Sequence, residues 1–140
     1  MKIGIDPDLK KSGVAIIDND GIEKMLSLPF FDLTEFIKAN QGNEFILENV
    51  VANKPTFTRP GANQAVMKRI SQNVGQVKAV QLLLVEFFER ENIPVTLVNP
   101  LRGSIKKAKT NAEYFNRITG WQGRSNADQR DAALLALYGR

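Results

Sequence analysis

The 140 residues predict an α/β domain with five strands, in the element order βββαβαβαα. Three observations carry that prediction. The chain opens with short apolar segments broken by turn residues. Two further apolar strand segments flank a long stretch with helical periodicity. The last fourteen residues before the terminus are rich in alanine and leucine.

Lys2 to Asp6 reads as a strand, and Pro7 to Gly13 as a turn-rich connection. Val14 to Asp18 is a second strand. Asn19-Asp20-Gly21 marks a hairpin, because Asp-Gly tolerates positive φ, and Ile22 to Leu28 returns as the third strand. Leu33 to Ala39 has the pattern of a short amphipathic helix with Asp32 as a cap. Glu44 to Val50 is too apolar for an exposed edge and predicts a central strand parallel to the first. Residues 53–63 contain Pro55, Pro60 and Gly61 and read as a loop.

A helix follows from about Gln64 to Glu91. Ile70, Val74, Val77, Leu84 and Phe88 recur at helical spacing; Val80, Leu83 and Phe87 widen the stripe. Val95 to Val98 is the fifth strand, Leu101 to Thr110 a basic connection, Asn111 to Ile118 a helix, and Ser125 to Tyr138 the last helix. One domain spanning residues 1–140 is expected, since this length suits a single core. No apolar run is long enough to span a bilayer, and Asp6 and Asp8 interrupt any signal-peptide pattern.

The chain has neither cysteine nor histidine. Disulfides, thiolate zinc sites and imidazole catalysis are therefore excluded. What remains conspicuous is a set of carboxylates in apolar surroundings: Asp6 at the end of Ile3-Gly4-Ile5-Asp6, Glu48 after Phe45-Ile46-Leu47, and Asp128 with Asp131 in the last helix. Isolated charges are costly there, and acids brought together repel unless a cation joins them. Asp128 and Asp131 are at i and i+3, hence on one helix face. Oxygen ligands alone favour Mg²⁺ or Mn²⁺. Plainer readings stand beside this one. Asp6 also suits a turn before Pro7, Glu48 a strand end, and Ser125-x-x-Asp128 a capping box. Asp8 reads as a loop residue rather than a ligand.

The formal charge is +4, from 19 bases and 15 acids, unevenly spread. Between Glu48 and Glu86 there is no acid, while Lys54, Arg59, Lys68, Arg69 and Lys78 are basic. Arg102, Lys106, Lys107 and Lys109 form a second basic stretch without an acid. Such a surface suits a polyanion. Lys54, Arg59, Lys68, Arg69 and Arg102 are either phosphate contacts or plain solvated bases, and Gly75 either lets a DNA backbone come close to the helix or serves helix packing.

Taken together these stretches resemble the RuvC family of Holliday-junction resolvases. Gly4-Ile5-Asp6-Pro7 with Ser12-Gly13-Val14-Ala15 resembles its opening, Leu47-Glu48-Asn49-Val50 its second motif, and Val74-Gly75-Gln76-Val77-Lys78-Ala79 its Gly-Gln helix. Ala127-Asp128-Gln129-Arg130-Asp131-Ala132 resembles its closing pair of aspartates. The resemblance spans nearly the whole chain in the family's order. It implies a ribonuclease H-like fold, a mixed five-stranded sheet flanked by helices.

It also implies a DNA endonuclease that resolves four-way junctions by symmetric paired nicks in recombination and repair. Asp6, Glu48, Asp128 and Asp131 would be the catalytic acids, holding two Mg²⁺ ions, with Mn²⁺ able to substitute. The implied partners are branched DNA and a second copy of the chain, with neither a membrane nor a small-molecule cofactor. The implied compartment is the cytoplasm of a bacterial cell, or of the host for a phage-encoded protein. Lys106, Lys107 and Lys109 resemble the family's bases against the scissile strand, and Gly75 and Gln76 lie in the motif facing the DNA.

Where the family often carries an aromatic three residues after the glutamate this chain has Val51; Phe57 suits either that role or an anchoring core contact. The chain is shorter than typical cellular members, implying a compact phage or mobile-element type. A ribonuclease H-like enzyme cutting RNA–DNA hybrids, a nuclease of flaps and forks, and a non-catalytic nucleic-acid-binding module of the same fold are the alternatives. A sugar-kinase or actin-like phosphate site ranks last, because it would need two such domains. Trp121 suits either a base contact or a core position.

Overall fold

The computed structural model describes residues 1–52 and 64–139, with only the backbone for residues 52, 66, 67 and 69–71. Strands β1 (Lys2–Asp6), β2 (Ser12–Asp18) and β3 (Gly21–Leu28) form an antiparallel meander. Helix α1 (Phe30–Ala39) leads to β4 (Glu44–Glu48), α2 (Gln64–Arg90) to β5 (Val95–Val98). Short helices α3 (Lys107–Thr110) and α4 (Ala112–Thr119) precede α5 (Ala127–Tyr138). The sheet order is β3-β2-β1-β4-β5, with β4 parallel to both β1 and β5. This is the mixed five-stranded α/β architecture that the sequence predicts.

The hairpin forms where Asp-Gly places it. The Asp20 amide donates to Asp18 Oδ1 at 2.7 Å, and Gly21 takes φ +121°. Alternation along the strands then divides the interior into two cores. Ile3, Ile5, Val14, Phe45 and Leu47 pack with Leu33 and Ile37 of α1 and Val80, Leu84 and Phe88 of α2. On the other face Ala15, Ile17, Ile46 and Val98 meet Phe115 of α4 and Ala132 to Ala136 of α5. Helix α5 lies very close to the sheet. A Cβ at Gly4 would collide with the Ala132 carbonyl, and one at Gly13 with the Asp128 carbonyl. Among the described residues no helix is long and apolar enough to cross a membrane.

Several local expectations need correction. Helix α1 starts at Phe30, not Leu33, because the Pro29 carbonyl accepts from the Leu33 amide at 2.8 Å; Asp32 lies inside the first turn rather than capping it. The predicted strand to Val50 stops at Glu48, where the Asn49 amide turns to the Val98 carbonyl, and Val50–Ala52 form a 3₁₀ turn. The basic connection, for which no regular structure was expected, is partly helical: Gly103–Lys106 form a 3₁₀ turn that runs into α3. The capping box of α5 is Asn126 with Gln129, not Ser125 with Asp128. Along α2 the buried stripe is Val80, Leu84 and Phe88, while Val74 and Leu83 face outward.

Candidate metal centre

Asp6 and Glu48 are the last residues of adjacent parallel strands. Ile5 is in register with Leu47, so the two carboxylates emerge side by side. Both share the strand face of Gly4 and Ile46, the face that α5 covers. Asp131, one turn into α5, completes the group. Asp6, Glu48 and Asp131 are all buried and offer carboxylate oxygens within 4.8 Å of one another. Gly4 and Gly13 make this possible, since any larger side chain at either would push α5 and its aspartates away from the sheet.

Asp128, one turn nearer the helix start, is half-buried and lines the same cleft, outside that close group of three. The structure therefore brings the four predicted acids to one cleft and packs three of them tightly. Asp8 lines the cleft too, with its Oδ1 accepting from the Leu9 amide at 2.9 Å.

The cluster's electrostatics are strained. Burial, then the hydrogen bond and charge of Glu48, then Asp131, hold the Asp6 carboxyl well above the usual carboxylate range, against the pull of Lys109. Burial, then Glu48, push Asp131 up to about 6, again opposed by Lys109. Burial and Asp8 raise Asp128. Asp6 Oδ2 is buried without a hydrogen-bond partner among the described residues. An unsatisfied buried carboxylate oxygen beside two other carboxylates, in a chain with neither imidazole nor thiolate ligands, fits a hard divalent cation.

Residues that sequence reasoning passed over hold this arrangement. Arg130, 8% exposed, donates from Nε to the Lys109 carbonyl at 2.7 Å, and from one terminal nitrogen to the Ser125 carbonyl at 2.8 Å and Ser125 Oγ at 3.0 Å. Gln81, buried in α2, accepts from the Val51 amide at 2.9 Å and reaches Asn49 Oδ1 at 3.4 Å, tying down the chain just after Glu48. Ser27 Oγ accepts from Asn126 and Gln129 at 2.9 and 3.1 Å, fixing the start of α5 to β3. An arginine beside two acids in an otherwise Ala/Leu-rich helix was the available signal for Arg130; Gln81 left none.

The cleft over the acids has a volume of about 250 Å³ and is walled by Val50, Val77 and Leu101, with Lys106 and Lys109 at its side. A larger cleft of about 470 Å³ lies at the opposite end of the sheet, by Lys2, Asp18 and Glu44. No close carboxylate group has been gathered there among the described residues; the group of three lies in the smaller cleft.

Of the basic candidates, Lys106 and Lys109 line this cleft, while Arg102 and Lys107 are exposed nearby in the chain. Lys68, Gly75 and Gln76 are exposed on α2. The space beyond Gly75 is open among the described residues, so no packing contact explains this glycine. Arg69 lies on α2 with its side chain outside the description; Lys54, Phe57 and Arg59 lie outside the described residues. Trp121 packs half-buried against the α5 core, its indole N–H donating to the Arg124 carbonyl at 3.2 Å.

No protein family and no curated protein sequence matches this chain. Among solved structures, T. thermophilus RuvC in complex with Holliday junction substrate is similar, at 15% identity and a TM-score of 0.56, over 97% of this chain and 89% of that one. At that identity the likeness is one of architecture. The chain thus has a RuvC-like, ribonuclease H-like fold, with buried acids at the ends of its two central strands.

Proposed function

We propose that this chain is a single-domain, divalent-metal-dependent DNA endonuclease that resolves four-way junctions in recombination. One observation carries the reading: Asp6, Glu48 and Asp131, from three separate elements, converge in burial within 4.8 Å, with Asp128 in the same cleft. Burying several like charges is unfavourable unless they serve a cation. One solved structure with this fold is a T. thermophilus RuvC in complex with Holliday junction substrate, which supports branched DNA as substrate.

Asp6, Glu48, Asp128 and Asp131 would hold two Mg²⁺ ions, for which Mn²⁺ substitutes. Bound there, such ions would make water nucleophilic at neutral pH and would stabilise the leaving 3′-oxygen of a phosphodiester. Val50, Val77 and Leu101 give the cleft an apolar part to its lining. Lys106 and Lys109 attract the phosphate, and the exposed Arg102, Lys107 and Lys68 are further candidates for backbone contacts. The absence of histidine leaves carboxylates as the groups that accept protons near the cleft.

Symmetric paired nicks require two such sites, supplied by a two-fold homodimer. Helix α2 offers a suitable outer face: Leu82 and Leu83 are 57% and 52% exposed, next to exposed Ala79. Lys78 and Glu86 lie one turn to either side of Leu82. An antiparallel pairing about Leu82 would bring each Lys78 to the partner's Glu86. The compartment that suits the reading is the bacterial or host cytoplasm.

The test is cleavage of a labelled synthetic four-way junction with Mg²⁺, beside duplex, flap, fork and RNA–DNA hybrid. Paired symmetric nicks in the junction are expected, lost in Asp6→Asn with binding retained. Cutting of the hybrid alone would assign the enzyme to RNA–DNA hybrids. Binding without cutting would make it a non-catalytic module.

A further inference from the structure

The carboxylate cluster already holds a cation of its own. Lys109 Nζ lies 3.5 Å from Asp131 Oδ2 and 3.8 Å from Asp6 Oδ2, on a side chain 29% exposed. It is the cation that the structure places against Asp6 and Asp131, two of the three buried acids, among the described residues. These contacts are long. A locked charge-assisted N–H···O bond spans roughly 2.7–2.9 Å, so this ammonium neutralises the cluster without being tightly bonded to it.

The root of the side chain, by contrast, is held firmly. Arg130 grips the Lys109 carbonyl at 2.7 Å and Ser125 at 2.8 and 3.0 Å. Arg130 immediately precedes Asp131 in α5. The guanidinium therefore sets the distance between the lysine's backbone and the aspartate it serves. The result is a fixed base, a flexible four-carbon stem and a loosely held charge.

The oxygens next to Lys109, Asp6 Oδ2 and Asp131 Oδ2, belong to the residues a divalent ion would use. Two cations cannot occupy them together without strong repulsion. We infer that Lys109, rooted by Arg130, is a resident counter-cation of the Asp6–Glu48–Asp131 cluster that a divalent ion displaces on binding. Lys109 thus maintains the fold of the metal-free protein and sets metal affinity by competition. This rests on the reading of the cluster as a divalent-metal site.

Lys109→Met keeps the length of the stem and removes the charge. Thermal unfolding in EDTA and calorimetric titration with Mg²⁺ and Mn²⁺ read the two halves of the proposal. In EDTA the variant is expected to melt lower by roughly 5 °C or more. It is also expected to bind Mg²⁺ roughly tenfold or more tightly than the parent, since a neighbouring positive charge has gone. Adding Asp6→Asn should restore the metal-free melting temperature, because one repelling carboxylate is then neutral; a lysine needed only for packing would not be rescued this way.

Unchanged melting in EDTA, or equal or weaker metal binding, overturns the proposal. If Lys109→Met does not fold in EDTA, the double variant decides. Folding of Asp6→Asn/Lys109→Met supports a charge role, and failure to fold overturns it. Should neither parent nor variant bind Mg²⁺ or Mn²⁺, the displacement is refuted together with the metal reading. The Asp6→Asn rescue still shows whether Lys109 neutralises the cluster.

Discussion

Asp6 and Gly13 face each other across the β1–β2 ladder, and the space Gly13 leaves open is taken by the Asp128 carbonyl of α5. The absence of a side chain at one residue thus determines how near the last helix comes to the first strand's carboxylate. Gly13→Ala should destabilise the protein by about 1–3 kcal/mol through overpacking and weaken Mg²⁺ binding, as denaturant unfolding and calorimetry would measure. Gly75→Ala should do the reverse to stability, adding about 1 kcal/mol of helix propensity, because nothing among the described residues stands in the way of its Cβ.

Acid should stabilise the metal-free protein. Asp131 titrates near 6 and Asp6 lies well above the usual range, so both bind protons more tightly folded than unfolded. The unfolded chain therefore holds fewer protons from about pH 4 upward, and stability falls as pH rises from there through about 6. Saturating Mg²⁺ should invert the slope, since ligation requires ionised carboxylates. Urea unfolding at pH 5 and pH 7, with EDTA and with Mg²⁺, measures both slopes; Asp131→Asn should flatten the metal-free one.

Arg130 should not tolerate replacement. Arg130→Met leaves the Lys109 and Ser125 carbonyls without their donor, at about 1–3 kcal/mol each if they stay dry. Arg130→Lys should recover little, since one ammonium cannot reproduce a planar fork to two segments. Urea midpoints of the three proteins test this.

If α2 is the dimer face, Leu82→Glu should convert a dimer into a monomer in sedimentation at micromolar concentration, with little change in stability, because Leu82 is 57% exposed. A dimer that survives this change would place the two-fold axis elsewhere.

Much of this was legible in the sequence, for physical reasons. Period-two alternation and an Asp-Gly turn specify the meander, and carboxylates after apolar strands stand out because such burial is costly. Less legible was anything decided by tertiary contact. Ser125-x-x-Asp128 and Asn126-x-x-Gln129 are equally good capping patterns; the second forms because Ser27 engages Asn126 and Gln129 while Ser125 is taken by Arg130. Val74 and Leu83 fit the helical stripe of α2 but turn outward, because the buried face is set by the phase of Val80, Leu84 and Phe88 against the sheet. Lys109 was one base among four; only the approach of α3 to α5 distinguishes it from Lys107.

The two cores on either side of the sheet divide the molecule's tolerance to change. On the α1–α2 side, Leu, Ile and Phe side chains meet one another and can trade volume among themselves. On the α5 side, Gly4 and Gly13 bring the sheet backbone almost against the Ala132 and Asp128 carbonyls, and at those contacts there is no side-chain volume to redistribute. Random mutagenesis should therefore find conservative variants on the first side and almost none at Gly4 and Gly13. The separation of the acids would be inherited as a constant while the rest of the protein drifts.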